Sequence, residues 1–277
     1  MKSIIRADIY RIVRGKGLYI TLAVFLAVIV LQVASGANMN TGISYSTVET
    51  LSTIEDLESL ESLDPADLFN PPTGVEAPFR AMGESHNILY FMMPLIIFIV
   101  AADFNSGAAK NTLACGVSRA KYYCSKLILS CACCALLLVA YIIISTLAAT
   151  AINGFGGVFD GEYTLNVLKI FLPQLWLCLA GIFVGNFFAF VFRRSSAFIG
   201  IYIAFLLIPS VLIFILSFIS DIFEKLYDFE LTMSIGVMTQ ISSMPTGDIA
   251  RTMAVGAGYI AAAAIGGFLI FRKADIK

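Results

Sequence analysis

Apolar and polar positions follow one another along this chain in long blocks, and the apolar blocks have the length of a membrane crossing. Leu18–Ala34, Leu127–Ile152, Ile170–Phe192, Ala197–Ser220 and Ala254–Phe271 each reach the roughly 17–25 residues that a helix needs to span about 30 Å of hydrocarbon. Asn87–Ala102 is shorter, but the residues before it are acidic and those after it basic, so a crossing is the economical reading. Six spans are predicted, and the chain reads as an all-α integral membrane protein forming one transmembrane domain over residues 1–277.

The polar blocks divide the rest. Residues 1–16 place Ile5, Ile9 and Ile12 at four- and three-residue steps opposite Arg6, Arg11 and Arg14, the pattern of an amphipathic helix lying in the membrane surface. The rival reading is a cleaved leader ending at Val33-Ala34-Ser35. It suits the sequence less well, because the following apolar run exceeds the usual 7–15 residues. Residues 37–86 form a first extracellular loop in which Leu51, Ile54, Leu57, Leu60 and Leu63 recur every third residue. On a 3.6-residue helix that stripe winds around the surface, so a solvated loop with at most a weak acidic helix ending near Asp64-Pro65 is expected. Residues 221–253 are too polar to cross and too apolar for a plain loop; a surface cap and a re-entrant hairpin both fit this outer helical segment.

Composition agrees: 59% hydrophobic and 13% charged residues, with a mean hydropathy of +0.88, exclude an ordinary soluble domain. Charge orients the spans. Lys2, Arg6, Arg11, Arg14 and Lys16 precede the first, Lys110, Arg119, Lys121 and Lys126 follow the second, Arg193 and Arg194 follow the fourth, and Arg272, Lys273 and Lys277 close the chain. Six spans bring all of these to one side and leave Arg80, Lys169, Lys225 and Arg251 on the other, so both termini are expected in the cytoplasm. The six cysteines avoid the outer loops, and the single histidine, His86, lies across the membrane from Cys131, Cys133 and Cys134. Neither structural disulfides nor a metal site is expected. Gly181 with Gly185, and Gly258 with Ala262 and Gly266, have the four-residue spacing of small residues that lets helices pack closely in lipid.

Chemistry is sparse. GxxxxGK[ST], HExxH and GxSxG are all missing, so no P-loop nucleotide site or familiar hydrolytic centre is present. No acidic or basic residue lies deep in a span, which weighs against a proton relay. The segment 103–126 stands out: Asp103-Phe104, Gly107 with Lys110 and Leu113, Gly116 with Ser118 and Arg119, Lys121-Tyr122 and Ser125-Lys126 lie between two spans. A helix entering at Asn105-Ser106 and running through Lys110, broken at Gly116 and restarted with Ser118 as N-cap, is expected. This pattern resembles the segment after the second helix in ABC-2 type permeases, the membrane subunits of one class of ABC exporters, and the closing Phe271–Lys277 is similar to their C-termini. Ala108-Ala109 departs from the Thr and β-branched residue common there.

The resemblance implies an ABC-2 type exporter fold in a multi-pass cell membrane protein, most simply a bacterial plasma membrane one. It implies a cytosolic ABC ATPase as partner, a homodimer or a heterodimer with a related permease, and no nucleic acid. ATP and Mg would be bound by the ATPase, leaving this chain without cofactor or catalytic residue. Lys110, Asn111, Gly116, Ser118, Arg119, Lys121 and Tyr122 would form the cytoplasmic coupling segment. The cargo would be hydrophobic or amphipathic, such as an antimicrobial peptide, a lipopeptide or a drug. An ATP-independent channel, a secondary carrier and a membrane scaffold are the competing classes.

Overall fold

In a computed structural model of the chain, residues 2–35, 72–241 and 244–274 are described. They are helical, without a strand among them. In order the helices are α1 (Lys2–Arg14), α2 (Lys16–Ser35), α3 (Ala77–Gly83), α4 (Asn87–Asn105), α5 (Ala108–Ala114), α6 (Arg119–Asn153), α7 (Gly161–Phe192), α8 (Ser195–Ser217), α9 (Leu231–Val237) and α10 (Thr246–Lys273). Six of them, α2, α4, α6, α7, α8 and α10, are long and apolar enough to cross a membrane. They overrun the apolar blocks at several ends, because a helical backbone satisfies its own hydrogen bonds and continues into polar flanks.

Within α4 the residues Ile97–Ala101 form a wide π turn, one turn past Pro94. Proline has no N–H for the Tyr90 carbonyl, and such lesions in the hydrogen-bond ladder are where helices change pitch. The short loop after α6 ends with Asp160 as N-cap of α7, its Oδ1 accepting from Tyr163 N at 2.7 Å.

α7 is the central helix, packed on α4, α6, α8 and most extensively on α10. Both chain ends lie at one end of the bundle: Asp8 of α1 bonds Lys126 near the start of α6, and Arg119 bonds carbonyls at the C-terminus of α10. We call this end the termini face.

The opposite end departs from a picture of simple loops. Residues 77–86, expected in the first extracellular loop, turn inward as α3 and a buried turn, with Ala81, Met82, Ser85 and His86 all inaccessible. The weak acidic helix near Asp64-Pro65 lies outside the described residues. Within residues 221–253, for which a surface cap and a re-entrant hairpin both fit the sequence, the short helices pack back against the bundle. A 3₁₀ segment, Asp221–Phe229, leads into α9, whose N-terminus is capped by Glu230 accepting from Met233 N at 2.5 Å. α9 inserts among α3, α7, α8 and α10 and buries Leu231, Met233 and Ile235. One buried amide ties the two inserted pieces together: Gln174 of α7 accepts from Ser85 Oγ at 2.8 Å and donates to the Ile235 carbonyl at 2.7 Å. An unpaired amide there would be costly, so this link fixes the register of both segments.

The small-residue faces are partly reassigned. Gly181 and Gly185 pack as expected: a Cβ would come within 2.6 Å of Leu89 at the first and 2.7 Å of Ile96 at the second. Gly258 and Ala262 face outward, with nothing within 4 Å of a Cβ at Gly258, and Gly266 makes only an ordinary contact with Phe187. The close approaches on α10 belong to Gly256, against Trp176 and Leu177, and Gly267, whose Cβ would lie 2.6 Å from the Tyr123 hydroxyl. Gly258→Ala is therefore expected to leave detergent-solubilised thermal stability unchanged or slightly raised. Gly256→Ala and Gly181→Ala should each cost about 1–3 kcal/mol through overpacking. Equal melting temperatures for all three variants would contradict this packing.

Candidate functional site

The termini face is built by breaking helices at glycine. α4 stops at Asn105, and Gly107 with φ 72° and Gly116 with φ 86° bracket the seven-residue α5. Neither glycine has any atom within 4 Å of a would-be Cβ, so it is the left-handed backbone, not space, that calls for glycine. Ser118 then caps α6, its Oγ accepting from Lys121 N at 3.4 Å. The break at Gly116 and the restart at Ser118 are as expected, while the helix begins at Ala108, after the Gly107 turn, instead of running in from Asn105-Ser106.

Beneath this segment lies a buried cluster of charge. Lys126, with 1% of its side chain exposed, places Nζ 2.7 Å from Asp8 Oδ2 and 2.5 Å from Asp103 Oδ2. Tyr122 donates to Asp103 Oδ2 at 2.8 Å. Arg11 pairs with Asp103 and lies 3.4 Å from Asp8 Oδ1, and it donates to the Phe98 carbonyl in the wide turn at 2.8 Å. Two carboxylates and two cations balance, and each buried charge has several partners, which is the condition for burying ions without a prohibitive desolvation cost. Burial still raises the Asp8 carboxyl above its ordinary value, outweighing the opposing pull of Lys126. The cluster locks α1 to α4 and α6 and leaves Ile9, Tyr10 and Val13 on the outward side of α1.

The expected coupling residues separate into two groups. Lys110, Asn111, Gly116, Ser118 and Lys121 are exposed on the termini face. Tyr122 and Arg119 are spent inside the chain. Tyr122 is 1% exposed, stacked on Phe271 and bonded to Asp103. Arg119 donates to the carbonyls of Phe271, Arg272 and Ala274 at 3.0, 2.8 and 2.7 Å, so it caps α10 where the helix dipole favours a cation. Arg119 is thus engaged within the chain while remaining half-buried.

Asp8, Arg11, Asp103 and Lys126 form the buried centre that reading by spans passes over. One signal for it was present: Asp8 is the only acid in an otherwise basic surface helix. Among the described residues no group of three or more His, Cys, Asp or Glu side chains is placed to hold a metal.

The fold and this face define an all-helical protein with six membrane-length helices and a helix-broken polar platform latched to a surface helix by buried ion pairs. Residues 83–277 match the model of a family described as protein of unknown function, DUF2705, and the chain belongs to that family. No curated protein and no solved structure matches it.

Proposed function

We propose that the chain is the membrane subunit of an ATP-driven exporter of the ABC-2 type, with its termini in the cytoplasm of a bacterial plasma membrane. It works as a dimer, with itself or a related permease, beside a cytosolic ABC ATPase that binds ATP and Mg. The observation that carries this reading is the platform Gly107–Lys121, exposed on the termini face and mounted on the Asp8–Lys126–Asp103 cluster. A short helix between two glycine breaks gives a partner a discrete knob to grip. The buried ion pairs beneath it pass a push to α1, α4 and α6 together, as alternating access requires. The spans are lined chiefly by Phe, Leu, Ile and Ala, which suits a hydrophobic or amphipathic cargo.

Lys110 and Lys121 are the exposed cations of the platform, and charge reversal there tests the reading. A tagged chain purified from its native host should carry an ATPase subunit with a P-loop. Lys110→Glu with Lys121→Glu should reduce its retention about 30-fold, corresponding to about 2 kcal/mol for charge pairs at an interface, with the yield of folded chain unchanged. Transport by the purified chain alone, without nucleotide, would replace this reading with an ATP-independent carrier or channel.

A further inference from the structure

At the end of the bundle away from the termini, a cavity of about 190 Å³ lies between α2, α4 and α6. Its walls are aromatic, with Phe25, Tyr90, Phe91 and Tyr141, and its polar edge is Gln32 and Asn87. Phe25 packs edge-on to Phe91 at 4.9 Å and tilted to Tyr141 at 5.9 Å between ring centroids. Val28, Gln32, Asn87, Tyr90 and Phe91 are only half-buried, so the cavity opens sideways beside α2. It is smaller than the roughly 300–1,000 Å³ of a site for a drug-sized ligand, and matches a headgroup whose tail leaves along α2.

Next to it is the least satisfied charge in the described chain. Glu84 is 4% exposed, and neither carboxylate oxygen has a hydrogen-bond partner. The groups that act on it are Arg80, one turn earlier on its own element, and Tyr141 of α6. Arg80 draws the carboxyl down without overcoming burial. The Tyr141 hydroxyl, which also reaches toward the Glu84 carboxylate, donates its one proton to Gln32 Oε1 at 3.1 Å. Glu84 is connected to the cavity through Tyr141, which lines the cavity wall and acts on the carboxylate. A buried, unsatisfied acid reached through one of four aromatic rings around a cavity is complementary to one kind of group, a cation that is itself partly apolar.

We propose that this cavity binds a single organic ammonium group, held against the aromatic faces and neutralised by Glu84 through Tyr141. An alkylammonium N–H is accepted by the Tyr141 oxygen, and the hydroxyl turns its proton from Gln32 to Glu84. Among the described residues no lysine or arginine lines the cavity, so an anion meets no counter-charge from them. The ammonium can come from an aminolipid headgroup or from a free amphipathic amine. The proposal is independent of the exporter reading, because binding needs neither ATP nor a partner.

Its test uses the full chain in a nonionic maltoside detergent at pH 7.5, with octylammonium as probe and 1-octanol as uncharged control. Octylammonium is expected to raise the melting temperature by about 5 °C at saturation, octanol to do much less, and Glu84→Gln to remove the difference. Binding should strengthen as pH rises from 6 to 8, because the cation selects the ionised carboxylate, which burial holds back to about 7. This readout on the wild-type chain stands even if the variant fails to fold. In vesicles of phosphatidylglycerol, added phosphatidylethanolamine should stabilise the wild type and not Glu84→Gln if the source is lipid. No effect of lipid composition, with octylammonium still binding, assigns a free amine. Equal responses to octylammonium and octanol, or an ammonium response independent of pH and of Glu84, would overturn the proposal.

Discussion

Lys126→Leu is expected to lower the stability of the purified chain by about 3–5 kcal/mol and to release α1 from the bundle. The ammonium lies between Asp8 and Asp103 at 2.7 and 2.5 Å with 1% of the side chain exposed. Removing one partner of a buried ion cluster leaves the other charges uncompensated, which costs far more than the intact pair contributes. Arg11, 41% exposed, and the Tyr122 hydroxyl remain for two carboxylates, and Asp8, already raised by burial, must take up a proton or leave. Thermal unfolding in detergent reads the first effect. Trypsin reads the second, because Arg6, Arg11 and Arg14 of α1 become cleavable once the helix undocks. Adding Asp8→Asn should recover a good part of the loss by restoring the balance between Asp103 and Arg11. The contrast is Arg251→Ala: its pairs with Asp228 and Asp248, at 3.1 and 3.3 Å, are a third or more exposed on every partner, and their loss should cost about 1 kcal/mol or less. If Lys126→Leu melts like the wild type and keeps α1 protected, the cluster is not what mounts the platform.

The second large effect concerns pH, and two buried groups conceal it in the wild type. Burial pushes the Glu84 carboxyl up to about 7 from an ordinary 4.5, with Arg80 opposing. Burial pushes the His86 imidazole down to about 4 from 6.5, against a hydrogen bond to the Gly83 backbone. A raised carboxyl adds stability that is complete below about 4.5 and is lost as pH rises through 7. A depressed imidazole adds stability that is complete above about 6.5 and is lost as pH falls through 4. Between about 4.5 and 6.5 the folded chain holds one proton, on Glu84, and the unfolded chain holds one, on His86, so the two contributions cancel. Single variants expose them. Relative to wild type, Glu84→Gln should lose about 3 kcal/mol on going from pH 8 to 4.5, and His86→Asn should gain about 3 kcal/mol on going from pH 6.5 to 4. The measurement is melting temperature against pH for the three proteins. Difference curves of the same sign for both variants would show that at least one of the groups is not buried in the form described.

Much of this architecture is written in single stretches of sequence. A crossing is a local property, set by the length of an apolar run against the thickness of the bilayer, and the six membrane-length helices contain the predicted runs almost entirely. Only the end of the fifth run, past Ser217, falls outside its helix. Glycine breaks and caps are local too, because a left-handed backbone or a serine accepting from a nearby N–H needs no distant partner; Gly116 and Ser118 stand where the pattern puts them. The platform was legible for the same reason.

What tertiary structure alone decided is which side of each element is used. α10 is so rich in alanine and glycine that a four-residue spacing of small residues occurs on more than one face. The position of Trp176 and Tyr123 selects Gly256 and Gly267 over Gly258 and Ala262. Arg119 could have been a topology signal, a partner contact or a cap, and it becomes a cap only because α10 ends beside it. Lys126 and Asp8 are 118 residues apart, and Glu84 and His86 sit at the edge of a span where sequence suggests water. They are buried because α1, α3 and α9 fold back onto the bundle. Depth along a span can be read from one helix, but burial is a property of neighbours, and the neighbours here come from distant parts of the chain.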